Sequence, residues 1–264
     1  MGATTDLDLR LEHELRLFNG VWRGGYYEGD PLDPVGQSSY GAIGYMSVLH
    51  ATYLACIKPY ITPHASVVEI GPGRGAWTKA FVELGAKEIW CLDALSREYN
   101  QFDLYVGAHK DVHYFQVSDF SCSMLPENHF DYMFSFGCFC HISFAGIREY
   151  MKNLHAKLKP GAHGFIMVAD YDKYNQAIQA ESLRILRPVF WGKRNKVLYW
   201  VYKLLNPSKP PELVSKAEDN TPRPGRWYHA GIRETCSMLQ ELGYTVISPD
   251  VGTSLRDPII HFVK

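Results

Sequence analysis

The stretch SVVEIGPGRGAWTKAF, residues 66–81, constrains the fold of this chain more than any other. A β-rich run ends at Ile70, three glycines follow at alternate positions (Gly71, Gly73 and Gly75), and a helix-like segment comes next. Glycine lets the backbone turn sharply and lets a ligand approach the main chain. The free N–H groups at the start of the next helix suit an anion or a carboxylate. The stretch therefore predicts a strand, a tight turn that holds a ligand, and a helix.

A dinucleotide-binding turn is the natural alternative for such a glycine pattern. Three features disfavour it. Gly75 comes one residue too early for G-x-G-x-x-G, Glu69 lies on the strand just before the turn, and Pro72 lies inside the turn. The pattern alone still leaves a phosphate cradle and other cofactors open.

Strand-like and helix-like segments alternate from residue 66 onward. The predicted strands are 66–71, 88–94, 112–119, 130–137, 164–172, 245–252 and 258–264, and the predicted helices are 76–85, 97–107, 146–158 and 230–244. Nearly continuous apolar strands separated by helices are typical of a parallel sheet that is covered on both faces. The chain is therefore predicted to have an α/β fold.

Two segments stand outside this alternation. Residues 5–18 and 46–61 have helical periodicity, so we expect residues 1–62 to form an N-terminal helical cap on a main domain of residues 63–264. Residues 173–226 hold 11 Lys and Arg against 4 Asp and Glu, with six of the fifteen prolines. They follow the carboxyl end of a strand, where α/β proteins place their sites. A solvated basic helical insertion is one open interpretation, and a helical lid over a substrate or a reader of an anionic group is the other.

Composition excludes some functions. The 264 residues carry a net charge of about −1, so no overall field attracts nucleic acid or an anionic membrane. The acidic first residues lack the pattern of a signal peptide, and no apolar run reaches the ~20 residues of a membrane span. The six scattered cysteines include no CxxC pair; buried free thiols in a reducing cytoplasm are the preferred interpretation, with a metal or disulfide role as the alternative.

Carboxylates stand at three consecutive strand ends. Glu69 precedes the glycine turn, Asp93 ends the second strand 18 residues after Gly75, and Asp119 with Phe120 ends the third. An acid at the position of Asp93 suits ribose hydroxyls. Folding does not require an acid at each of these positions, so together they indicate a nucleoside-containing cofactor.

With these residues the sequence resembles the class I S-adenosylmethionine-dependent methyltransferases. The similar segments are VEIGPGRG, Asp93, SDF (118–120), FDYMFSFGCFCHI (130–142) and LKPGAHGFIMVAD (158–170). The resemblance implies a Rossmann-like, doubly wound, seven-stranded sheet whose last strand is antiparallel, and S-adenosylmethionine as cofactor. It implies that the glycine turn holds the methionine part, Asp93 the ribose, and Asp119 with Phe120 the adenine. Further cofactor contacts are expected from Tyr40, Glu69, Pro72, Trp77, Ala94 and Phe136.

The same resemblance places the chemistry just beyond the fourth strand. A hydroxyl acceptor needs a base, and His141 lies four residues after Gly137; the alternative is that His141 packs against the next helix. Asp170, at the end of the fifth strand, is the second candidate catalytic residue, and a helix-capping role is its alternative. Tyr171, Trp191, Trp227, Tyr228 and His229 are the candidate substrate-binding residues.

The acceptor is predicted from the small-molecule branch that the sequence resembles, which includes bacterial sugar O-methyltransferases. A saccharide or a glycosylated metabolite is preferred; an aromatic, amine or lipid acceptor and a non-enzymatic cofactor-binding module are the alternatives. A divalent metal such as Mg²⁺ is not favoured, because the fourth strand ends in SFG without an aspartate. We expect a cytoplasmic enzyme for a small molecule, without a nucleic-acid partner, and a homo-oligomer is the candidate assembly.

Overall fold

The computed structural model describes residues 11, 13–38, 41–43, 46–184, 213, 225, 227–254 and 256–264. A seven-stranded sheet lies at its centre. Its strands are Ser66–Ile70 (β3), Glu88–Asp93 (β4), Val112–Gln116 (β5), Phe130–Ser135 (β6), Leu158–Met167 (β7), Thr245–Ser248 (β8) and Ile259–Val263 (β9). Their order across the sheet is β5-β4-β3-β6-β7-β9-β8. The last strand, β9, runs antiparallel to both of its neighbours, and the other neighbouring pairs are parallel. The predicted fold class is confirmed.

Helices connect the strands and cover the sheet. They are Val48–Thr52 (α1), Ala76–Glu83 (α2), Phe102–Val106 (α3), Phe144–His155 (α4), Tyr171–Arg184 (α5) and Ile232–Glu241 (α6). A π-helical turn, Tyr53–Ile57, extends α1, and 3-10 turns occur at Leu15–Phe18 and Phe139–His141. Two short strands, Ala42–Ile43 (β1) and Met46–Ser47 (β2), pair in front of α1.

The core lies on both faces of the sheet, as expected for a sheet with apolar residues at nearly every position. Every residue of β3 is buried. One buried cluster includes Ile70, Leu92 and Ile142, and the other includes Trp77, Phe81 and Phe134. Both faces are therefore removed from water, which stabilises the parallel strands.

The strand order creates a crevice beside β3. From β3 the chain proceeds outward through β4 and β5, and it then returns to β6 on the other side of β3. Ligands of open α/β sheets bind at such a reversal, outside the carboxyl ends of the strands. The turn after β3 and the turn after β6 meet there: a Cβ atom at Gly71 would lie 2.5 Å from Cys138 Sγ.

Several predicted boundaries were wrong, including the following three. Residues 97–107 were predicted as one helix, but α3 begins only at Phe102, because Gln101 has a left-handed backbone with φ of 51°. Tyr171 begins α5 instead of continuing a strand, since Asp170 caps the helix. The segment KPG lies inside β7 and does not separate a helix from a strand.

The division into a cap of residues 1–62 and a main domain stays a prediction, and residues 1–10 lie outside the described part. Residues 185–212 and 214–224, most of the predicted lid, also lie outside it. The described N-terminal segment, residues 13–38, packs on the sheet at the carboxyl ends of its strands. Glu14 there accepts hydrogen bonds from the Ser143 backbone N–H and, at 2.7 Å, from its hydroxyl, at the start of α4.

Candidate active site

A cavity lies at the carboxyl ends of β3, β4 and β6. The centres of water-sized molecules can occupy about 60 Å³ of it. The residues that line it come from the N-terminal segment, the glycine turn, the turn after β4, the turn after β6 and α4. Of the predicted site residues, Gly71, Gly73, Asp93, Ala94 and His141 line this cavity.

The glycine turn has the conformation that its sequence predicts. Gly73 has φ of 55°, in the left-handed region that favours glycine. A Cβ atom there would lie 2.7 Å from the carbonyl oxygen of Tyr26, which is closer than real contacts allow. The N–H of Gly73 donates to Asp93 Oδ2 at 3.0 Å. The missing side chains therefore let the turn fit between the N-terminal segment and Asp93.

Asp93 is held on the cavity wall by backbone donors. Its Oδ1 accepts from the Leu95 N–H at 2.8 Å, and its Oδ2 accepts from Gly73. Burial raises the pKa of Asp93 to about 6, against the opposing effect of these hydrogen bonds. A hydrogen-bonded carboxylate in a fixed position is suited to accept from the hydroxyl groups of a ligand.

Glu69 lies beneath the turn and not on the cavity wall. It is buried, and the Thr78 hydroxyl on α2 donates to its Oε2 at 2.6 Å. Burial raises the pKa of Glu69 to about 8, and the charges of Glu28 and Asp93 act in the same direction. The residue thus ties β3 to α2, and its predicted contact with a cofactor stays a prediction.

The N-terminal segment supplies an aromatic wall that was not predicted. Leu15, Phe18, Trp22 and Tyr26 all line the cavity. The ring centroids of Phe18 and Trp22 are 5.8 Å apart, and those of Trp22 and Tyr26 are 5.5 Å apart. Residues 19–30 are not helical, so no regular spacing in the sequence marked this wall.

Glu28 is a second unpredicted residue near this site. It is buried, and its Oε1 lies 2.6 Å from the point that a Cβ atom of Gly137 would occupy. Burial raises the pKa of Glu28 to about 7. The turn after β6 therefore has a buried carboxyl group beside it, which titrates near neutral pH.

His141 ends the 3-10 turn that follows β6. Its ring lines the cavity and lies 5.0 Å from the ring of Trp22. Tyr228 lies behind this turn, where its N–H donates to the Cys140 carbonyl at 2.8 Å. His141 thus lies just beyond β6 on the cavity wall, and its role as a base stays a prediction.

Asp170 lies away from the cavity lining. Its Oδ1 accepts from the N–H groups of Asp172 and Lys173, and its Oδ2 accepts from Ile232 N–H at 2.8 Å. These contacts, together with the charge of His229, lower its pKa against the effect of burial. Asp170 therefore caps α5 and α6, and its catalytic role stays a prediction.

The candidate substrate-binding residues cluster around α5. Tyr171 N–H donates to His229 Nδ1 at 3.1 Å, and the Tyr171 hydroxyl donates to the Trp227 carbonyl. The rings of Tyr171 and Trp227 are 4.7 Å apart. Tyr171, Trp227 and His229 are thus one contacting group. Neither this group nor Tyr228 lines the cavity, and Trp191 lies outside the described residues.

The other predicted cofactor residues are dispersed. Asp119 is exposed and accepts from the Ser121 N–H, and Phe120 is buried against Tyr150 with ring centroids 4.8 Å apart. Trp77 and Phe136 contact each other in the core cluster on the other face, at 4.7 Å. Pro72 and Gly75 belong to the turn without lining the cavity, and Tyr40 lies outside the described residues. Their roles stay predictions.

Two features are absent from the described residues. In that part of the chain, no helix is long and apolar enough to cross a membrane. The same residues contain no group of three His, Cys, Asp or Glu side chains that could hold a metal ion. All six cysteines are free.

Comparison with known proteins adds a family and several similar folds. A sequence model of a methyltransferase domain matches residues 45–248. No curated protein sequence matches the chain. Among solved structures, the chain is similar to an S-adenosylmethionine-dependent methyltransferase from Mesorhizobium loti, with a TM-score of 0.53, 15% identity, and coverage of 83% of this chain and 98% of that one.

Two further structures have the same fold. A candidate S-adenosylmethionine-dependent methyltransferase from Listeria monocytogenes has a TM-score of 0.53 and 16% identity over 82% of this chain and 97% of that one. The 1,6-didemethyltoxoflavin-N1-methyltransferase of Burkholderia thailandensis, solved with S-adenosylhomocysteine, has a TM-score of 0.50 and 17% identity over 82% of this chain and 77% of that one. At these identities the likeness supports the fold.

Proposed function

The chain belongs to the methyltransferase-domain family, and from this premise we propose that it O-methylates a hydroxyl group of a saccharide or a glycosylated small metabolite. It is an enzyme of the methyltransferase class, and its cofactor is S-adenosylmethionine. The observation that carries the acceptor proposal is the position of His141 beside Trp22 on the cavity wall.

The residues at the cavity fit this cofactor. Gly71 and Gly73 line the cavity, so the main chain of the turn faces the space that the methionine part would occupy. Asp93 is held ready to accept from ribose hydroxyls. When bound, the cofactor supplies an activated methyl group on a sulfonium centre. In this proposal the chain contributes alignment and proton transfer.

His141 is proposed as the general base. A sugar hydroxyl is a weak nucleophile near neutral pH, so its proton must leave as the oxygen attacks the methyl carbon. An imidazole in the neutral form can accept that proton at its unprotonated ring nitrogen. Packing against Trp22 limits the orientations of the ring, which favours a fixed direction of proton transfer. Asp170 holds the ends of α5 and α6 in this proposal.

An aromatic wall beside the base supports a saccharide acceptor. Trp22 and Tyr26 present flat rings to the cavity, and such rings pack on the apolar faces of sugars while their polar atoms bind hydroxyl groups. The basic residues within 173–226 would add contacts to an anionic sugar. We further propose that residues 1–62 act as a cap, that 173–226 act as a lid, and that the enzyme works in the cytoplasm, as its free cysteines suggest.

The test transfers labelled methyl groups to a panel of sugars and glycosylated metabolites. We expect the His141→Ala variant to lower kcat by about 100-fold or more with S-adenosylhomocysteine affinity unchanged. The exposed His64 supplies the control variant His64→Ala, which should behave as the wild type. Turnover by His141→Ala equal to that of the wild type would refute the role of the base.

A nitrogen acceptor is the second candidate, and the buried Glu28 beside Gly137 favours it. A carboxylate at this point would hold an amine as its ammonium form and take one of its protons, and the neutral amine would then attack the methyl carbon without His141. In that case the His141→Ala variant would keep most of its activity, and Glu28→Gln would lower it. If labelled methyl groups are transferred to amines and to none of the sugars, the acceptor is an amine.

A further inference from the structure

Asn100 is a buried polar residue on the cavity wall that the proposed chemistry does not use. Its side chain is completely buried, and the residue lines the cavity together with Asp93, Ala94 and Leu95. Its backbone is held in the turn after β4, where its N–H donates to the Ser96 carbonyl at 3.0 Å. Asn100 thus has a fixed position next to the acid that is proposed to bind ribose.

The neighbouring hydrogen bonds determine which end of the amide is available. The Tyr114 hydroxyl donates its single proton to the Leu95 carbonyl at 2.9 Å. The Tyr114 hydroxyl oxygen also lies 2.7 Å from the side-chain amide of Asn100. Because its only proton is already used, this oxygen must accept there, and the donor must be Asn100 Nδ2. Hydrogen bonding from Asn100 also contributes to lowering the pKa of Asp93, against the larger effect of burial. The amide nitrogen is used, and the carbonyl oxygen Oδ1 is left over.

Asn100 Oδ1 accepts no hydrogen bond from any described residue. A buried acceptor without a donor is unfavourable, so such groups need an explanation. A ligand in the cavity that donates a hydrogen bond would remove this cost. The chemistry required is a donor group next to the one that Asp93 binds.

A ribose with two free neighbouring hydroxyl groups meets this requirement. Asp93 and Asn100 Oδ1 are both acceptors, and a cis-diol has two adjacent O–H donors. We propose that Asn100 is a cofactor-positioning residue, whose Oδ1 accepts from one ribose hydroxyl of S-adenosylmethionine while Asp93 accepts from the other. This inference rests on the cofactor assigned above and extends it to a second ribose contact.

The test measures calorimetric affinities for S-adenosylhomocysteine and for its 2′-deoxy and 3′-deoxy analogues. In the wild type, each deoxy analogue should bind about 10-fold more weakly, because each loses one donor. In Asn100→Ala, S-adenosylhomocysteine should bind about 10-fold more weakly, and one of the two analogues should bind as well as it does to the wild type. A purely structural role would weaken all three ligands equally.

Two further variants complete the test. Tyr114→Phe removes the hydroxyl that orients the Asn100 amide without changing a cavity residue. It should therefore reduce the difference in affinity between S-adenosylhomocysteine and the deoxy analogue whose binding does not depend on Asn100. Asn19→Ala, at an exposed asparagine outside the cavity lining, should have no effect. If both deoxy analogues bind the wild type within about 2-fold of the parent compound, the inference is overturned and the cofactor assignment stands. If the parent compound fails to bind at millimolar concentration, the cofactor assignment is overturned and the inference with it.

Discussion

As the pH rises above neutral, the free energy of unfolding of the cofactor-free protein should fall, and replacing Glu69 by glutamine should remove a large part of that fall. Burial raises the pKa of Glu69 from 4.5 to about 8 in the folded chain, against hydrogen bonds from Thr78 and Cys91. An acid whose pKa is raised by folding binds more protons in the folded state. Its contribution to stability is therefore complete below the unfolded value of 4.5 and is lost as the pH rises through about 8.

The size of the effect follows from this shift. One pKa unit corresponds to about 1.4 kcal/mol, and about two units separate pH 6 from the pKa of Glu69. Ionisation of Glu69 should therefore lower the free energy of unfolding by about 3 kcal/mol between pH 6 and pH 9. Burial also raises the pKa values of Glu28 and Asp93. Their ionisation therefore also lowers the free energy of unfolding as the pH rises, in the wild type and in the variant alike.

Urea unfolding at pH 6 and pH 9, followed by circular dichroism, measures the difference. Glutamine keeps the shape of the side chain and can still accept from the Thr78 hydroxyl, but it has no proton to lose. The variant should therefore lose about 3 kcal/mol less than the wild type over this interval. Glu83→Gln, at an exposed position at the end of α2, is the matched control and should follow the wild type. Equal pH dependence in Glu69→Gln and the wild type would refute the reasoning.

Three further outcomes are expected. Gly73→Ala should lower S-adenosylhomocysteine affinity by about 10-fold or more in calorimetry, since the new Cβ would lie 2.7 Å from the Tyr26 carbonyl oxygen at a positive φ; an unchanged affinity would contradict this. Ser143→Ala should lower the free energy of unfolding, measured in urea, by about 2 kcal/mol, because it removes the cap of α4 and a hydrogen-bond donor to the buried Glu14. A decrease of less than about 0.5 kcal/mol would contradict this role of Ser143. Turnover should be the same with and without a chelator, because backbone N–H groups already use both oxygens of Asp170; inactivation that Mg²⁺ reverses would disprove this.

Much of the fold was predictable because it is encoded locally. Apolar runs of strand length, separated by helical periods, determine a covered parallel sheet whatever the chain does elsewhere. The turn at Gly73 was predictable for the same reason, since a positive φ is a property of a few consecutive residues. Asp93 followed from its place at a strand end, because parallel strands end at one edge of the sheet.

The tertiary structure decided which residues surround the cavity. Trp22 and His141 are 119 positions apart, and no sequence period connects them, yet their rings lie 5.0 Å from each other. Asn100 belonged to a segment with the pattern of a helix, and only its bond to Tyr114 on β5 shows that its carbonyl oxygen is left without a donor. The sequence by itself thus determined the sheet, the turn and the acid beside it, because these depend on local backbone preference and burial. Packing between distant segments determined the wall of the cavity, because these contacts form between residues that are far apart in the sequence and share no local pattern.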